Sequence, residues 1–599
     1  MRFRNRGKAM NKQTAQLLEQ HFDIAFAAPD GIKKLRELIL TLTMQGKLVE
    51  QDPNDPPASE LLRQIEKERI SHEGTKTRRK DKELPPIKPD EVPYELPQGW
   101  EWVRLGEAML KITDGTHHSP PNNEKGDFLY ISAKNIKDDG VLISNATYVT
   151  EEVHDEIFSR CDPEYGNILY IKDGATTGIV TINDLKEPFS MLSSVALLKQ
   201  PHQVDNRYLL FTLRSPFFYG EMRAGMTGVA ITRVTLKKLH DAIIPLPPLS
   251  EQHRIVARID QLMARCDELE KLRKEREEKR LAVHAAAIKQ LLDSNFASSR
   301  LRVSQDSSSL RAFVPSCETG GAFDFLAKHF GELYTVKENV AELRKAILQL
   351  AVMGRLVPQD PNDPPASELL REIEKEKVSR EGAKTRRKET KLPPIKPEKV
   401  PYQLPKGWEW VRLGDAGAFE RGRSKHRPRN DKRLFEHGTY PFVQTGDVSR
   451  SKATENQIMT CTSYYNDFGL KQSRLWEKGT LCITIAANIA ETGFLGMDAC
   501  IPDSVVAFLG VNKSLEKLVK VFIDVAKGDL EHFAPSTAQK NINLGIINEL
   551  LFPLPPLNEQ HRIVARIDQL MALCDTLEQR IDAATVKRTE LLGAVMATI

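Results

Sequence analysis

The sequence predicts an α+β protein: two α+β domains joined by two long helices that form an antiparallel coiled coil, built on an internal pseudo-twofold duplication. Three observations predict it. Pro245 to Met263 returns as Pro553 to Met571, at an offset of 308 residues, with Ser250/Asn558 the one difference in 19 positions. Leu35 to Glu107 returns at the same offset as Leu343 to Asp415, with about 50 of 73 residues identical. Between these blocks lie two stretches of equal length, 108–243 and 416–551, that share almost no identity and carry short β-like runs separated by Gly, Asp and Asn turns. A long period present twice is a duplicated domain pair, not a solenoid. One scaffold therefore presents two different surfaces, which suits a target with two unlike halves.

Residues 11–48 read as helical, with Asp30 as a cap and Ile32, Leu35, Ile39 and Leu42 at helical spacing. Gly46 and Gly354 stand at the equivalent exits. Asp52-Pro-Asn-Asp-Pro-Pro57 is a turn cluster, and Ser59-Glu60 starts a charged helix to about Ile70. Residues 71–98 are a polar, proline-rich, linker-like excursion around Lys76-Thr-Arg-Arg-Lys80, repeated as Lys384 to Lys388. A solvated loop and a phosphate contact both suit that basic core. Trp100 to Leu105 alternates and opens the first variable domain. Its β-like runs are Phe128–Ile131, Ile168–Ile171, Ile179–Ile182 and Ser194–Leu198, with a helical piece over Asp205–Leu213. The second domain has Tyr440–Val443, Leu481–Ile485, Ser504–Phe508 and a helix near Leu515–Lys527.

Each variable domain ends in Pro-Leu-Pro-Pro-Leu and delivers the chain to a helix. Ser250 and Asn558 suit its N-cap, and Glu251 and Glu559 its positive end. Ile563, Ile567, Leu570, Cys574, Leu577 and Ile581 keep the 4-3 spacing of a coiled-coil seam. The first helix starts identically and is interrupted by Arg273, Arg276 and Arg280. Antiparallel pairing of the two seams would hold the domains at a set distance; a partner protein is the second choice. The Ser-rich stretch 294–322 reads as a joint. The expected segments are 1–98 (helical region and linker), 99–248 (variable domain 1), 249–297 (first spacer helix), 298–406 (joint, repeated helical region and linker), 407–556 (variable domain 2) and 557–599 (second spacer helix).

At 599 residues the chain suits about four domains, and 40% apolar with 28% charged residues suits a soluble protein rich in helix. The longest apolar runs, such as Leu38–Met44, are too short to span a membrane. The basic N-terminus lacks the apolar segment of a signal peptide, and Met10 is as good a start as Met1. Seven cysteines show no Cys-x-x-Cys spacing. Cys266 and Cys574, on helical apolar positions, read as core thiols in a reducing, cytoplasmic compartment. A net charge of +4 neither requires nor excludes nucleic acid; the placement of the charge decides. The sequence has no Asn-Pro-Pro-[Phe/Tyr] methyltransferase motif, no phosphate-binding G-x-x-x-x-G-K-[ST] loop and no H-E-x-x-H. His117-His118 has no partners at metal-ligand spacing.

Gly-Trp-Glu-Trp-Val-Arg-Leu-Gly at 99–106 and 407–414, Pro-Leu-Pro-Pro-Leu-x-Glu-Gln-x-Arg-Ile-Val after each variable domain, and Leu-Arg-x-x-Ile-Leu-x-x-x-x-x-Gly-[Lys/Arg]-Leu-Val together resemble the specificity (S) subunit of type I restriction–modification enzymes, most like type IB. The resemblance runs from about Asn11 to the end. It implies that the variable domains are target recognition domains, each binding one half of an asymmetric, interrupted DNA site, with the helices setting the gap. It implies two methyltransferase (M) subunits that use S-adenosylmethionine, and restriction/translocase (R) subunits that use ATP and Mg. This chain would itself hold no cofactor and do no chemistry.

Bases are read by Arg and Lys at guanine and by Asn and Gln at adenine, while phosphate contacts position the protein. The clearest basic cluster is Arg421, Arg423, Lys425, Arg427, Arg429, Lys432 and Arg433, just inside the second domain. In the first domain Asp114-Gly-Thr-His-His-Ser119 occupies the corresponding early loop and is polar rather than basic. The other candidate DNA contacts are Lys134, Asn135, Thr176, Thr177 and Arg233 in the first domain, and Gln539, Lys540 and Asn541 in the second. The competing readings are a self-contained restriction–methylation enzyme, against which the missing motifs argue, and a duplicated scaffold whose variable domains bind proteins.

Overall fold

A computed structural model describes residues 26–73, 84–224, 233–292, 320–381, 395, 400–532 and 542–598. The chain divides into two compact units, Met1–Arg276 with Ala584–Ile599, and Glu277–Ala583. The Lys76–Lys80 and Lys384–Lys388 cores, the stretch 294–319 and Gln539 to Asn541 lie outside the described residues.

In the first unit α1 (Gly31–Met44) begins without the expected side-chain cap from Asp30. It ends as the sequence requires: Gly46 takes φ +63°, and Lys47 N–H donates to Leu42 O at 2.9 Å, the αL helix terminus that glycine permits. A Cβ there would also lie 2.4 Å from Pro97 Cγ. Gly354 repeats the device at φ +69°. Helix α2 (Ala58–Glu73) buries Ala58 and Ile65 against the first variable domain.

That domain is tied at its neck. Strand β1 (Glu101–Arg104) pairs antiparallel with the domain's last strand, Ile243–Leu246, from Glu101↔Leu246 to Arg104↔Ile243. Its counterpart Glu409–Arg412 pairs with Leu551–Leu554 in the same register. Incoming and outgoing chains thus leave side by side, so everything between them can change while the scaffold keeps its shape. Inside the neck, β2 (Lys111–Asp114), β3 (Ile168–Ile171), β4 (Val180–Ile182) and β5 (Val195–Lys199) form a sheet in the order β2-β5-β3-β4. All four residues of β3 are buried because both faces are covered: Ile168 and Tyr170 face one apolar cluster, Leu169 and Ile171 another. Strands buried on both faces read as continuous apolar runs. The helix Asn206–Arg214 starts at Asp205, whose carboxylate accepts from Arg207 and Tyr208 N–H.

Beyond the neck, α3 (Leu249–Leu292) begins one residue before Ser250. Ser250 is therefore not the cap; its hydroxyl bonds the Asp55 carboxylate at 2.5 Å. Its equivalent Asn558 donates to Asp363 at 3.2 Å. Arg254 and Arg562 reach the same two aspartates at 2.8 and 2.6 Å, fastening each long helix to the turn cluster of its own copy. The apolar stripe expected as a coiled-coil seam on α3 is not buried throughout: Leu269 and Val283 are exposed. Over its first half Ile255, Ile259 and Cys266 pack on Ile32 and Ile39 of α1, with Trp100 and Tyr208, and each such isoleucine contributes about 1.5–3 kcal/mol.

The second unit repeats this plan. Helices α4 (Lys337–Val352) and α5 (Ala366–Glu381) precede a five-stranded sheet whose first four strands in spatial order are β6 (Ala418–Arg421), β9 (Val505–Leu509), β7 (Leu481–Thr484) and β8 (Thr492–Leu495). The helix Lys513–His532 covers one face. Helix α6 (Leu557–Thr598) lays Ile563, Ile567, Leu570 and Cys574 against α4. Both units are mixed helix and sheet, the class the sequence predicts.

Glu251 and Glu559 sit in the first turn, and both are buried. Each accepts the indole N–H of the neck tryptophan, Trp100 or Trp408, at 2.9 Å. Each also accepts from Gln51 or Gln359, at 3.2 and 3.1 Å. Burial raises both carboxyls above their ordinary value, against the opposing pull of these hydrogen bonds. A raised carboxyl contributes stability that is fully present below the unfolded-state value and is lost as pH rises through the folded one. Glu251→Gln and Glu559→Gln remove the buried charge but leave one acceptor oxygen for two donors, so each should cost less at pH 7 than Glu→Ala. Glu→Ala at either site should cost about 1–3 kcal/mol by leaving an indole N–H buried and unpaired; melting curves at two pH values check both.

Candidate nucleic-acid interface

One end of the main sheet gathers the same three pieces of chain in each domain. The loop after the first strand is pinned by Thr116 N–H to Met191 O at 2.9 Å, and by Arg423 N–H to Ile501 O at 3.0 Å. The hairpin after the central strand is pinned by Lys172 N–H to Ser194 O, and by Ile485 N–H to Ser504 O, each at 3.0 Å. The chain returning from the far side lands on that hairpin through Val234 N–H to Lys172 O (2.8 Å) and Ile542 N–H to Ile485 O (2.9 Å). Strand register completes the match: Asp114 pairs with Ala196, the second residue of β5, and Arg421 with Val506, the second residue of β9. Asp114 and Arg421 thus hold the same place. Gly115 and Gly422 follow, and at both a Cβ would strike a carbonyl group, Met191 O at 1.7 Å or Pro502 O at 2.3 Å. The two early loops are equivalent at an offset of 307, one less than the scaffold repeat.

In the first domain this edge is a network of paired charges. The Asp114 carboxylate is nearly fully buried and meets Arg160 at 2.5 Å and both Lys172 and His117 at 3.3 Å. Asp173 takes Arg233 in a fork, at 2.9 and 3.3 Å, and Lys172 at 3.4 Å. The hydrogen bond from Arg233 to Asp173 raises the guanidinium further above its ordinary value. Lys172 is buried, whereas the side chains of Arg160, His117 and Arg233 remain 50%, 54% and 57% exposed. Buried Asp114 and partly buried Asp173 hold the Arg160 and Arg233 guanidiniums at the rim.

In the second domain the edge is open and basic. Arg421, Arg423, Lys425, Arg427, Arg429, Lys432 and Arg433 are all exposed. Arg429 pairs with Asp503 at 2.5 Å, and Arg433 with Asp431 at 2.7 Å. Arg427 donates to the carbonyls of Ser424 and His426. Arg433, then His426, hold Asp431 well below the usual carboxylate range. Among the described residues Arg421, Arg423, Lys425 and Lys432 make no ion pair. The loop backbone is stitched to a neighbouring segment: Lys425 N–H donates to Gln472 O at 3.2 Å, and Ser473 hydroxyl to Arg423 O at 2.8 Å. Arg474 pairs with Glu420 and stacks 4.0 Å over Trp476. The hairpin carries Ala487 and Ala490 at φ +64° and +58°, against Gly174 and Gly178 at +96° and +102° in the first domain. A left-handed alanine costs about 1–2 kcal/mol, strain of the kind that gathers at functional loops.

Of the residues expected from sequence, the structure brings Arg233 and the whole Arg421–Arg433 cluster to these edges. Lys134 and Thr176 are exposed, and Lys134 follows Ala133, whose N–H bonds Ser194 Oγ at 3.2 Å. Two expectations are corrected. Asn135 is fully buried, its side chain accepting from Ser132 N–H at 3.1 Å and donating to Leu142 O at 3.0 Å. Thr177 is buried, its hydroxyl closing the hairpin on Gly174 O at 2.6 Å. Both shape the backbone and present no side chain to a ligand. Sequence reasoning passed over Arg160, Lys172 and Arg474, which lie outside any basic run and reach the edge only through the fold. Among the described residues no group of His, Cys, Asp and Glu could hold a metal ion, and no helix is long and apolar enough to cross a membrane.

Two unlike loop edges on two copies of one scaffold define a protein with paired recognition surfaces. The type I restriction modification DNA specificity domain model matches residues 97–278 and 405–585, and the chain belongs to that family. It is 31% identical to the type I restriction enzyme EcoAI specificity subunit of Escherichia coli, covering 94% of this chain and 92% of that one. Against the EcoEI specificity subunit of the same organism the identity is 29%, covering 94% and 93%. Among solved structures, the HsdS subunit from Thermoanaerobacter tengcongensis aligns with a TM-score of 0.41 at 17% identity, covering 84% of this chain and 98% of that one.

Proposed function

We propose that this chain is the DNA-specificity subunit of a type I restriction–modification complex and reads an asymmetric, two-part site, one loop edge per half. The observation that carries the reading is that equivalent positions on a shared scaffold bear different chemistry, Asp114 and Thr116 on one edge, Arg421 and Arg423 on the other. A divergent pair of edges suits two unlike half-sites, and the strand-tied necks let each vary alone. The long helices, as an antiparallel coiled coil, set the gap and dock two methyltransferase subunits; restriction subunits complete the assembly. S-adenosylmethionine, ATP and Mg act in those partners, and this chain is not catalytic. The complex works in the cytoplasm.

The test is a genome-wide map of N6-methyladenine with and without this gene. Loss of methylation at one asymmetric, interrupted motif is the expected outcome. With the partner methyltransferase present and active, identical maps would sink the reading. Exchanging residues 416–551 for the corresponding segment of another specificity subunit should replace one half of that motif and leave the other half and the gap unaltered.

A further inference from the structure

Seven exposed cations line the second domain's loop, but they are not alike, and their differences separate residues that read bases from residues that grip phosphate. Gripping the O6 and N7 edge of guanine with a planar two-bond fork needs a guanidinium free of competing carboxylates, on a backbone that cannot shift. Arg421 closes β6, paired with Val506 across the sheet. Gly422 N–H then bonds Val505 O at 3.0 Å, so close to the 501–502 backbone that no side chain fits between. Arg423 is fixed on both sides of its Cα, its N–H on Ile501 O and its carbonyl under the Ser473 hydroxyl. Neither arginine makes an ion pair among the described residues. Arg429 and Arg433 are held by Asp503 and Asp431, and Arg427 by carbonyls of its own loop. Lys425 and Lys432 are point charges without a fork.

Resting on the specificity-subunit reading, we infer that Arg421 and Arg423 are the base-reading residues of the second domain, each donating a fork of two N–H groups to O6 and N7 of a guanine in the major groove. The half-site of this domain therefore contains G·C pairs read by these two positions, and the remaining five cations follow the phosphates. The first domain cannot read guanine from the same place. Its equivalent residues are Asp114, already saturated by Arg160, Lys172 and His117, and Thr116, whose hydroxyl bonds His118 O at 3.1 Å.

The experiment uses the full chain assembled with its methyltransferase subunits and duplexes bearing the motif taken from the methylation map. Arg421→Ala and Arg423→Ala should each relax discrimination at one G·C pair of one half-site by about 5- to 150-fold, the range of one bidentate contact. Arg→Lys should not restore it, because the charge returns without the fork. Replacing that guanine by 7-deazaguanine, which lacks the N7 acceptor, should weaken the wild type and leave the matching variant unaffected. Equal weakening on every sequence, with the salt slope lowered by about 0.9 per residue, would make both arginines phosphate contacts and overturn the inference alone. So would a half-site without guanine. Loss of the whole motif dependence in the wild type would instead overturn the specificity reading on which the inference rests. Both side chains are exposed, so the variants keep the fold.

Discussion

Glutamine at Lys425, Arg427, Arg429 and Lys432 together should lower DNA affinity roughly 10²- to 10³-fold at physiological salt and leave the recognised motif unchanged. The size follows from counterion release. Each phosphate neutralised on duplex DNA contributes about 0.9 to the slope of log affinity against log salt, so four lost contacts flatten it by about 3.6. Between 1 M salt, where that contribution vanishes, and 0.15 M, a slope difference of this size is worth up to about 10³. These four side chains are exposed on one loop, and two of them, Lys425 and Lys432, have no ion pair among the described residues. The first domain offers a contrast. Arg160 and Arg233 are its exposed edge arginines, and both are held by carboxylates, Asp114 and Asp173. Arg160→Gln with Arg233→Gln should flatten the slope by no more than about 1.8. The measurement is a titration of fluorescent duplex at four salt concentrations. Equal effects from the two domains would mean that the grip does not follow the visible charge.

The helical scaffold was legible because its signals are local and appear twice. The glycine helix ends, the Trp-Glu-Trp strands and the strand-like runs from Ile168 and Leu481 all lie where apolar period and turn residues place them. The departures have a common cause: a side chain capable of a local role takes a tertiary partner instead. Ser250 and Asn558 have good capping chemistry, but the aspartates of the turn cluster, about 195 residues away, bind them. Glu251 and Glu559 do sit in the first turn of each long helix, and from there they also accept a buried indole N–H. The recognition edge was half legible. In the second domain seven cations fall within the 13 residues 421–433, so composition reveals them. In the first they come from residues 160, 172 and 233 and meet only when the sheet forms. The one-residue difference in offset between edge and scaffold, hidden where identity is near zero, emerged only from strand register.

Where the end of α3 is buried in the second unit, the duplication leaves one polar pair that its copy lacks. His284 lies fully buried, its Nε2 3.0 Å from the Tyr334 hydroxyl and its Nδ1 without a partner among the described residues. Shifted by the 308-residue repeat, the same two places are Leu592 and Phe26, which pack together in an apolar cluster with Ala28 and Leu38. One copy of the joint is therefore wholly apolar, and the other buries an imidazole with one orphaned nitrogen. Burial pushes His284 below its ordinary value, opposed by the charge of Glu342. The folded protein thus binds fewer protons there than the unfolded chain. Stability from this group is full above pH 6.5, the ordinary value, and falls as pH drops below it toward the folded value. Tyr334→Phe alone should cost about 1–3 kcal/mol by stranding the second ring nitrogen. His284→Leu with Tyr334→Phe, which rebuilds the other copy's pair, should be at least as stable as the wild type at pH 8 and more stable at pH 5. Thermal unfolding of the full chain at the two pH values measures both. An advantage of the double variant that stays the same from pH 8 to pH 5 would show that the imidazole does not titrate in this joint, leaving only the orphaned nitrogen to explain it.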